Sequence, residues 1–132
     1  MVSEENVDRY TQIVDAWNGG DIDRLLLFVD ERTEVSSLLV GIEGSYHGHE
    51  GVRRWWHDFH DMFPDWHAEI EDIRAIDEFI LARIRTRGHG RGSGAPVDRV
   101  MWHVARWRNG TVFRLSSYRN ESEALEAVAL EQ

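Results

Sequence analysis

The chain has 132 residues, of which 42% are hydrophobic, enough for one domain (residues 1–132) with a real core and no need of staples. It has no cysteine, a formal net charge of −9, and fifteen basic residues that are all arginine. This composition excludes a disulfide framework and thiolate chemistry, and it argues against nucleic acid as a partner, because a phosphate backbone rewards a basic footprint.

The acidic start shows no signal-peptide pattern, and no run approaches the ~18 apolar residues of a membrane span. A cytoplasmic protein with no membrane partner is expected. Ser3-Glu4-Glu5-Asn6 suits the opening of a helix, with Ser3 as its N-cap. Val7, Tyr10, Ile13, Val14 and Trp17 then recur at helical spacing. Asn18-Gly19-Gly20 ends that helix, and Asp21 caps a second, short one bearing Leu25, Leu26, Phe28 and Val29. Thr33 to Val40 reads as a strand and Gly41 to Gly48 as a loop. A third helix is predicted from about His49 to Phe63, stopped by Pro64.

Four strands follow. Trp66 to Arg74 and Phe79 to Thr86 alternate around a turn at Asp77-Glu78, with Gly88 to Pro96 as a glycine-rich connection. Val97 to Arg108 and Thr111 to Tyr118 flank Asn109-Gly110, the strongest hairpin signal in the chain. Ser122 to Leu130 closes with a short helix.

Cross-strand charge fixes a register for the first pair. Glu71 opposite Arg83 and Glu69 opposite Arg85 put opposite charges on one face, with His67 opposite Arg87, and Ile70 with Ile84 and Ala68 with Thr86 on the other. Ala82 and Ile84 then look toward the helices. The outer face, where Trp102 and Val104 join the charges, is more apolar than a solvated face should be, and a second subunit is expected against it.

The chain resembles the NTF2-like superfamily, and within it the SnoaL-like proteins, a group related to polyketide cyclases and steroid isomerases. The resemblance rests on Asn18-Gly19-Gly20-Asp21, Tyr46-His47-Gly48-His49-Glu50-Gly51-Val52, Arg91-Gly92-Ser93-Gly94 and Arg108-Asn109-Gly110-Thr111-Val112. It implies an α+β cone with three N-terminal helices packed on a curved, mostly antiparallel sheet, a short C-terminal helix, and a deep apolar pocket. It also implies a homodimer through the convex sheet face, which here would use His67, Glu69, Arg83, Arg85, Trp102 and Val104. The catalytic positions of the steroid isomerases fall on Ile13, Ser36 and His103, so two of the three polar groups are lost and that mechanism is not expected.

His103 is the candidate catalytic residue. An inward histidine can titrate near neutrality, donate to an oxyanion or accept a proton, and it can equally be a structural group bonded to a carbonyl. The candidate ligand-binding residues are Trp17, Tyr46, Trp56, Phe59, His60, Trp66, Met101, Phe113, Leu115 and Ser117, with Trp55 as a further apolar candidate. Tryptophan and tyrosine suit a pocket mouth because each has an apolar body and a polar edge. Phe113, Leu115 and Ser117 share one parity and are expected on one inner face. His57 and His60 lie one turn apart, but no third ligand is obvious and no metal is expected. The Gly88–Gly94 stretch lies between strands and lacks the Gly-Lys-Ser ending of a phosphate loop. Arg87, His89 and Arg91 could still grip a carboxylate.

The function expected is binding of a small, largely apolar molecule in the cone, or its conversion, which in an enzyme would be acid–base chemistry that needs no cofactor. Tyr46 and Ser117 would position polar atoms. The alternative is a non-catalytic ligand-binding or dimeric interaction module.

Overall fold

The computed structural model describes residues 2–36 and 45–131. The predicted end of the first strand (37–40) and the start of the following loop (41–44) lie outside the described residues.

Helix α1 spans Val2–Asn18, so Ser3 lies inside it rather than capping it. Its buried face is Tyr10, Ile13, Val14 and Trp17, the helical repeat visible in the sequence. At its end the Asn18 side chain donates to the carbonyl of Ala68 at 2.7 Å and accepts from the N–H of Ala68 at 2.9 Å. One amide thereby acts as an extra rung on the edge of the sheet. Helix α2, Ile22–Leu26, is capped by Asp21, which accepts from the N–H of Arg24. Strand β1, Val29–Ser36, begins earlier than predicted. Phe28 already accepts a ladder bond from the N–H of Val112 at 2.8 Å. Strand β2 is only Ser45–His47, too short for a periodic signal, and lies where a loop was predicted. Helix α3, Gly48–Met62, buries Val52, Trp55, Trp56 and Phe59. Strands β3 (His67–Ile76), β4 (Phe79–His89), β5 (Pro96–Arg108) and β6 (Thr111–Tyr118) follow, and helix α4 is Glu121–Glu131.

The six strands form one sheet in the order β2-β1-β6-β5-β4-β3, antiparallel except for β1 beside β6. The β5–β6 turn is Asn109-Gly110 with φ of 52° and 83°, the left-handed pair that a two-residue hairpin needs. Helices α1 to α3 cover the inner face, where the main core gathers.

Two bulges decide which side chains face inward. In β3 the predicted pairing holds from His67–Arg87 to Ile70–Ile84, then slips by one residue, leaving Glu71 without a register partner and placing Asp72 opposite Arg83. In β6 the slip leaves Phe113 unpaired between Val112, opposite Trp107, and Arg114, opposite Arg106. Phe113 therefore leaves the inner face, contrary to expectation, and lies among Arg106, Arg108 and Arg114, the Arg108 guanidinium 4.3 Å from its ring centroid.

Part of the outer face is covered from within the chain. Its apolar residues form a second cluster, Phe79, Leu81 and Val104, covered by Ala124 and Val128 of α4, with Trp102 packed at the margin. Val104 is buried beneath α4, whereas His67, Glu69 and Arg83 of the expected interface remain exposed. The rest of that face is a lattice of ion pairs. Arg85 grips Asp98 through two bonds of 2.9 Å, Arg83 meets Glu71 at 3.2 Å, and Arg87 meets Glu69 at 3.7 Å. The arginines thus face away from the helices, as their pairing predicted. No helix among the described residues is long and apolar enough to cross a membrane.

Candidate functional site

Between α1, α3 and the inner face of the sheet lies an apolar cavity of about 60 Å³. Helix α1 contributes Tyr10, Ile13, Val14 and Trp17, and α3 contributes Trp55 and Phe59. The sheet adds Ala68, Ile84, Thr86, Met101, His103, Leu115 and Ser117, with Trp66 at the head of β3. This is less than the ~150 Å³ of an engineered cavity that takes benzene, and short of the ~300 Å³ at which ligand sites usually begin. Five large aromatic side chains, Tyr10, Trp17, Trp55, Phe59 and Trp66, line this cavity.

Of the predicted site residues, seven share this cavity: Trp17, Phe59, Trp66, Met101, His103, Leu115 and Ser117. Four stand elsewhere. Tyr46 is fully buried between β2 and α3, and its hydroxyl donates to Asp58 Oδ2 at 2.9 Å. Trp56 and His60 stand behind the cavity wall. Their rings stack with centroids 4.4 Å apart, Trp56 meets Trp17 edge-on at 5.0 Å, and His60 Nδ1 lies 2.9 Å from the Trp56 carbonyl. Phe113 is displaced by its bulge. The residue that sequence reasoning missed is Tyr10. Its signal was present, since it belongs to the α1 repeat, but a buried helix position does not reveal which strand its hydroxyl reaches.

It reaches His103. The two side chains share a hydrogen bond of 2.8 Å between the Tyr10 hydroxyl and His103 Nδ1. His103 sits on β5 opposite Ala82 of β4 and Ser117 of β6, two small neighbours that leave its ring room. Burial pushes the His103 pKa down to about 4, and burial also raises that of Tyr10. Both groups are therefore neutral at pH 7, and the expectation of a histidine titrating near neutrality does not hold. A neutral pair has two arrangements. Tyr10 donates to Nδ1 and Nε2–H faces outward, or Nδ1–H donates to Tyr10, whose own proton is then free. Each arrangement offers one donor and one acceptor beyond the pair.

Trp17 and Trp55 line the same space with their ring carbons. The indole nitrogens of Trp17 and Trp55 are buried and have no hydrogen-bond acceptor among the described residues. Their rings are 4.7 Å apart between centroids.

The remaining predicted polar clusters hold the fold together. His89 is fastened to Asp65 by its backbone N–H at 2.8 Å and its Nδ1 at 2.7 Å, and that contact holds the Asp65 carboxyl below the usual range. Arg91 Nε donates to the Asp61 carbonyl at 2.7 Å. The glycine-rich connection is thus tied to the end of α3, with these groups already engaged. No group of metal-ligating side chains occurs among the described residues.

Comparison with known proteins gives a consistent picture. A family model described as a SnoaL-like domain matches residues 10–115. No curated protein sequence matches the chain. Among solved structures, a protein from Catenulispora acidiphila with a ketosteroid isomerase-like fold, in complex with trimethylamine, is 19% identical, with 89% of each chain covered and a TM-score of 0.76. An NTF2-like protein of unknown function from Burkholderia pseudomallei is 16% identical over 92% of this chain and 95% of its own, with a TM-score of 0.79. TerC, co-crystallized with polyporic acid, is 12% identical over 95% and 98%, with a TM-score of 0.77. At these identities the likeness shows the fold.

Proposed function

The chain belongs to the SnoaL-like domain family, and from that premise we propose that its inner cavity binds a small, largely apolar molecule beside the Tyr10–His103 pair. The observation that carries this reading is the direct hydrogen bond between buried Tyr10 and half-buried His103 on the wall of a largely apolar cavity. The pair leaves one donor and one acceptor free beyond its own bond, which a ligand in the cavity can use. The cavity limits the ligand to a few heavy atoms unless the aromatic wall moves. Trimethylamine, seen in one structural neighbour, is of that size, whereas polyporic acid is not.

Ala68→Leu tests this, because it fills the cavity from β3 and leaves Tyr10 and His103 untouched. A panel of small apolar compounds should raise the melting temperature of the wild type, with about 2.7 kcal/mol of stabilisation at a hundredfold excess over Kd. The filled variant should not respond. A panel that stabilises both proteins equally, or neither, refutes the cavity as a binding site.

A second reading, favoured by the same 2.8 Å bond, is proton transfer. Nε2 takes a proton from the ligand, Tyr10 gives its proton to a ligand oxygen, and Nδ1 passes its proton to Tyr10. The pair ends neutral, in its other arrangement. A pKa of about 4 makes His103 a weak base, so only an acidified ligand proton would move. Deuterium uptake by a bound ligand, absent in Tyr10→Phe, distinguishes conversion from binding alone.

A further inference from the structure

We infer that Arg99 and Arg119 hold the acidic head group of the ligand, a small amphipathic carboxylate whose apolar end reaches past Met101 into the inner cavity. The inference rests on the proposed binding role of that cavity and adds to it the chemical class of the ligand. Strand β5 outruns its neighbour: among the described residues its pairing with β6 ends at Trp102 opposite Tyr118. Arg99, Val100 and Met101 lie beyond that point, and with Arg119 they line a cleft of about 490 Å³. Arg99 stands opposite Thr86 in an unbroken β4–β5 register, and directly opposed residues share a face. Thr86 lines the inner cavity, so Arg99 lies on the inner face, in line with Met101 and His103. Arg119 follows Ser117, another lining residue, just past the end of β6. Met101 is common to both spaces, lining the cleft and the cavity.

The charge of the two spaces selects the ligand. On the outer face Arg83, Arg85 and Arg87 are paired with Glu71, Asp98 and Glu69. Arg99 and Arg119 are exposed, and neither guanidinium has an ion pair or hydrogen bond among the described residues. No acidic side chain lines their cleft. Two like charges in one cleft repel each other, and a bound carboxylate relieves that repulsion while accepting in the planar geometry that guanidinium groups match. The inner cavity has no charged lining group at pH 7, so a charged head stays in the cleft and only an apolar part enters. Methionine is unbranched and flexible, which suits a residue at that passage.

The test titrates the full chain by calorimetry at low salt with three probes of equal heavy-atom count: hexanoate, hexanamide and heptylammonium. Hexanoate should bind most tightly, and added salt should weaken it. Arg99→Gln and Arg119→Gln should each weaken hexanoate about two- to fivefold, the scale of one exposed ion pair, and leave hexanamide unchanged. Both arginines are exposed, so these substitutions leave the core intact. Arg24→Gln on α2 removes the same charge outside the cleft and should change neither probe. Ala68→Leu, which fills the cavity, should weaken hexanoate and hexanamide alike. Hexanoate binding no better than hexanamide, or losing as much to Arg24→Gln as to the cleft variants, overturns the arginine site and leaves the small-ligand reading standing. Arginine-dependent binding that Ala68→Leu does not weaken overturns the single ligand spanning both spaces. If no probe binds, the carboxylate ligand is overturned, and the cavity stands or falls on the panel of apolar compounds.

Discussion

His103 shows how far environment can move a residue from its sequence role. On the inner face of a strand it looked like a neutral-pH switch, but burial holds it neutral down to about pH 4. In the unfolded chain a histidine titrates near 6.5. Between these values the unfolded state binds more protons, so stability falls as pH drops from about 6.5 to about 4, by at most ~3 kcal/mol. His103→Gln keeps a partner for Tyr10 and removes the titration. Its urea-unfolding free energy should therefore fall less than that of the wild type across this window. Asp30, Asp65 and Asp98 also have lowered pKa values, through Thr111, His89 and Arg85 respectively, but their acid losses are common to both proteins and cancel in the difference. Parallel profiles would show that folding does not hold His103 neutral.

Among the elements, the contact between β4 and the start of β3 sets one side of the cavity. A Cβ at Gly88 would lie 2.9 Å from Cε3 of the Trp66 ring and 3.3 Å from the Trp66 Cα. Gly88→Ala should destabilise the fold by about 1–3 kcal/mol through overpacking, read as a lower denaturation midpoint. An unchanged midpoint would mean that Trp66 moves freely and is no fixed wall. The helical repeat of α1, the apolar face of α3, the Asn109-Gly110 turn and the order of the last four strands were all legible in the sequence. They rest on local periodicity and turn chemistry, which short stretches carry in full. Phe113 and Glu71 were not legible, because a bulge arises from the fit of two strands and leaves simple alternation looking intact. Tyr10 was missed for a related reason: its role depends on a strand 93 residues away. Met101, His103, Leu115 and Ser117 line the cavity, on the inner face that their parity predicts.

For the whole molecule, α4 covers part of the apolar outer face. It lays Ala124 and Val128 over Phe79, Leu81 and Val104, and is tied at its ends by Arg74 with Glu121 and Arg114 with Glu131. Val128→Asp places a charge in that contact and should cost about 2 kcal/mol or more. It should also expose the apolar strip, so sedimentation velocity should show more self-association in the variant than in the wild type. If the variant sediments as the wild type does, α4 is not what keeps that face covered.

The parallel pairing of β1 with β6 also governs when the site can come into being. Thr33 and Val112, joined by the Thr33 hydroxyl, lie 79 residues apart. Closing so long a loop costs entropy before any contact repays it, so this pairing belongs to the late part of folding. Leu115 and Ser117 line the cavity from that same last strand. A chain emerging from the ribosome therefore holds α1, its aromatic residues and β1 for most of its synthesis without the strand that completes the wall. The cavity is assembled in one late step, when β6 reaches back to β1.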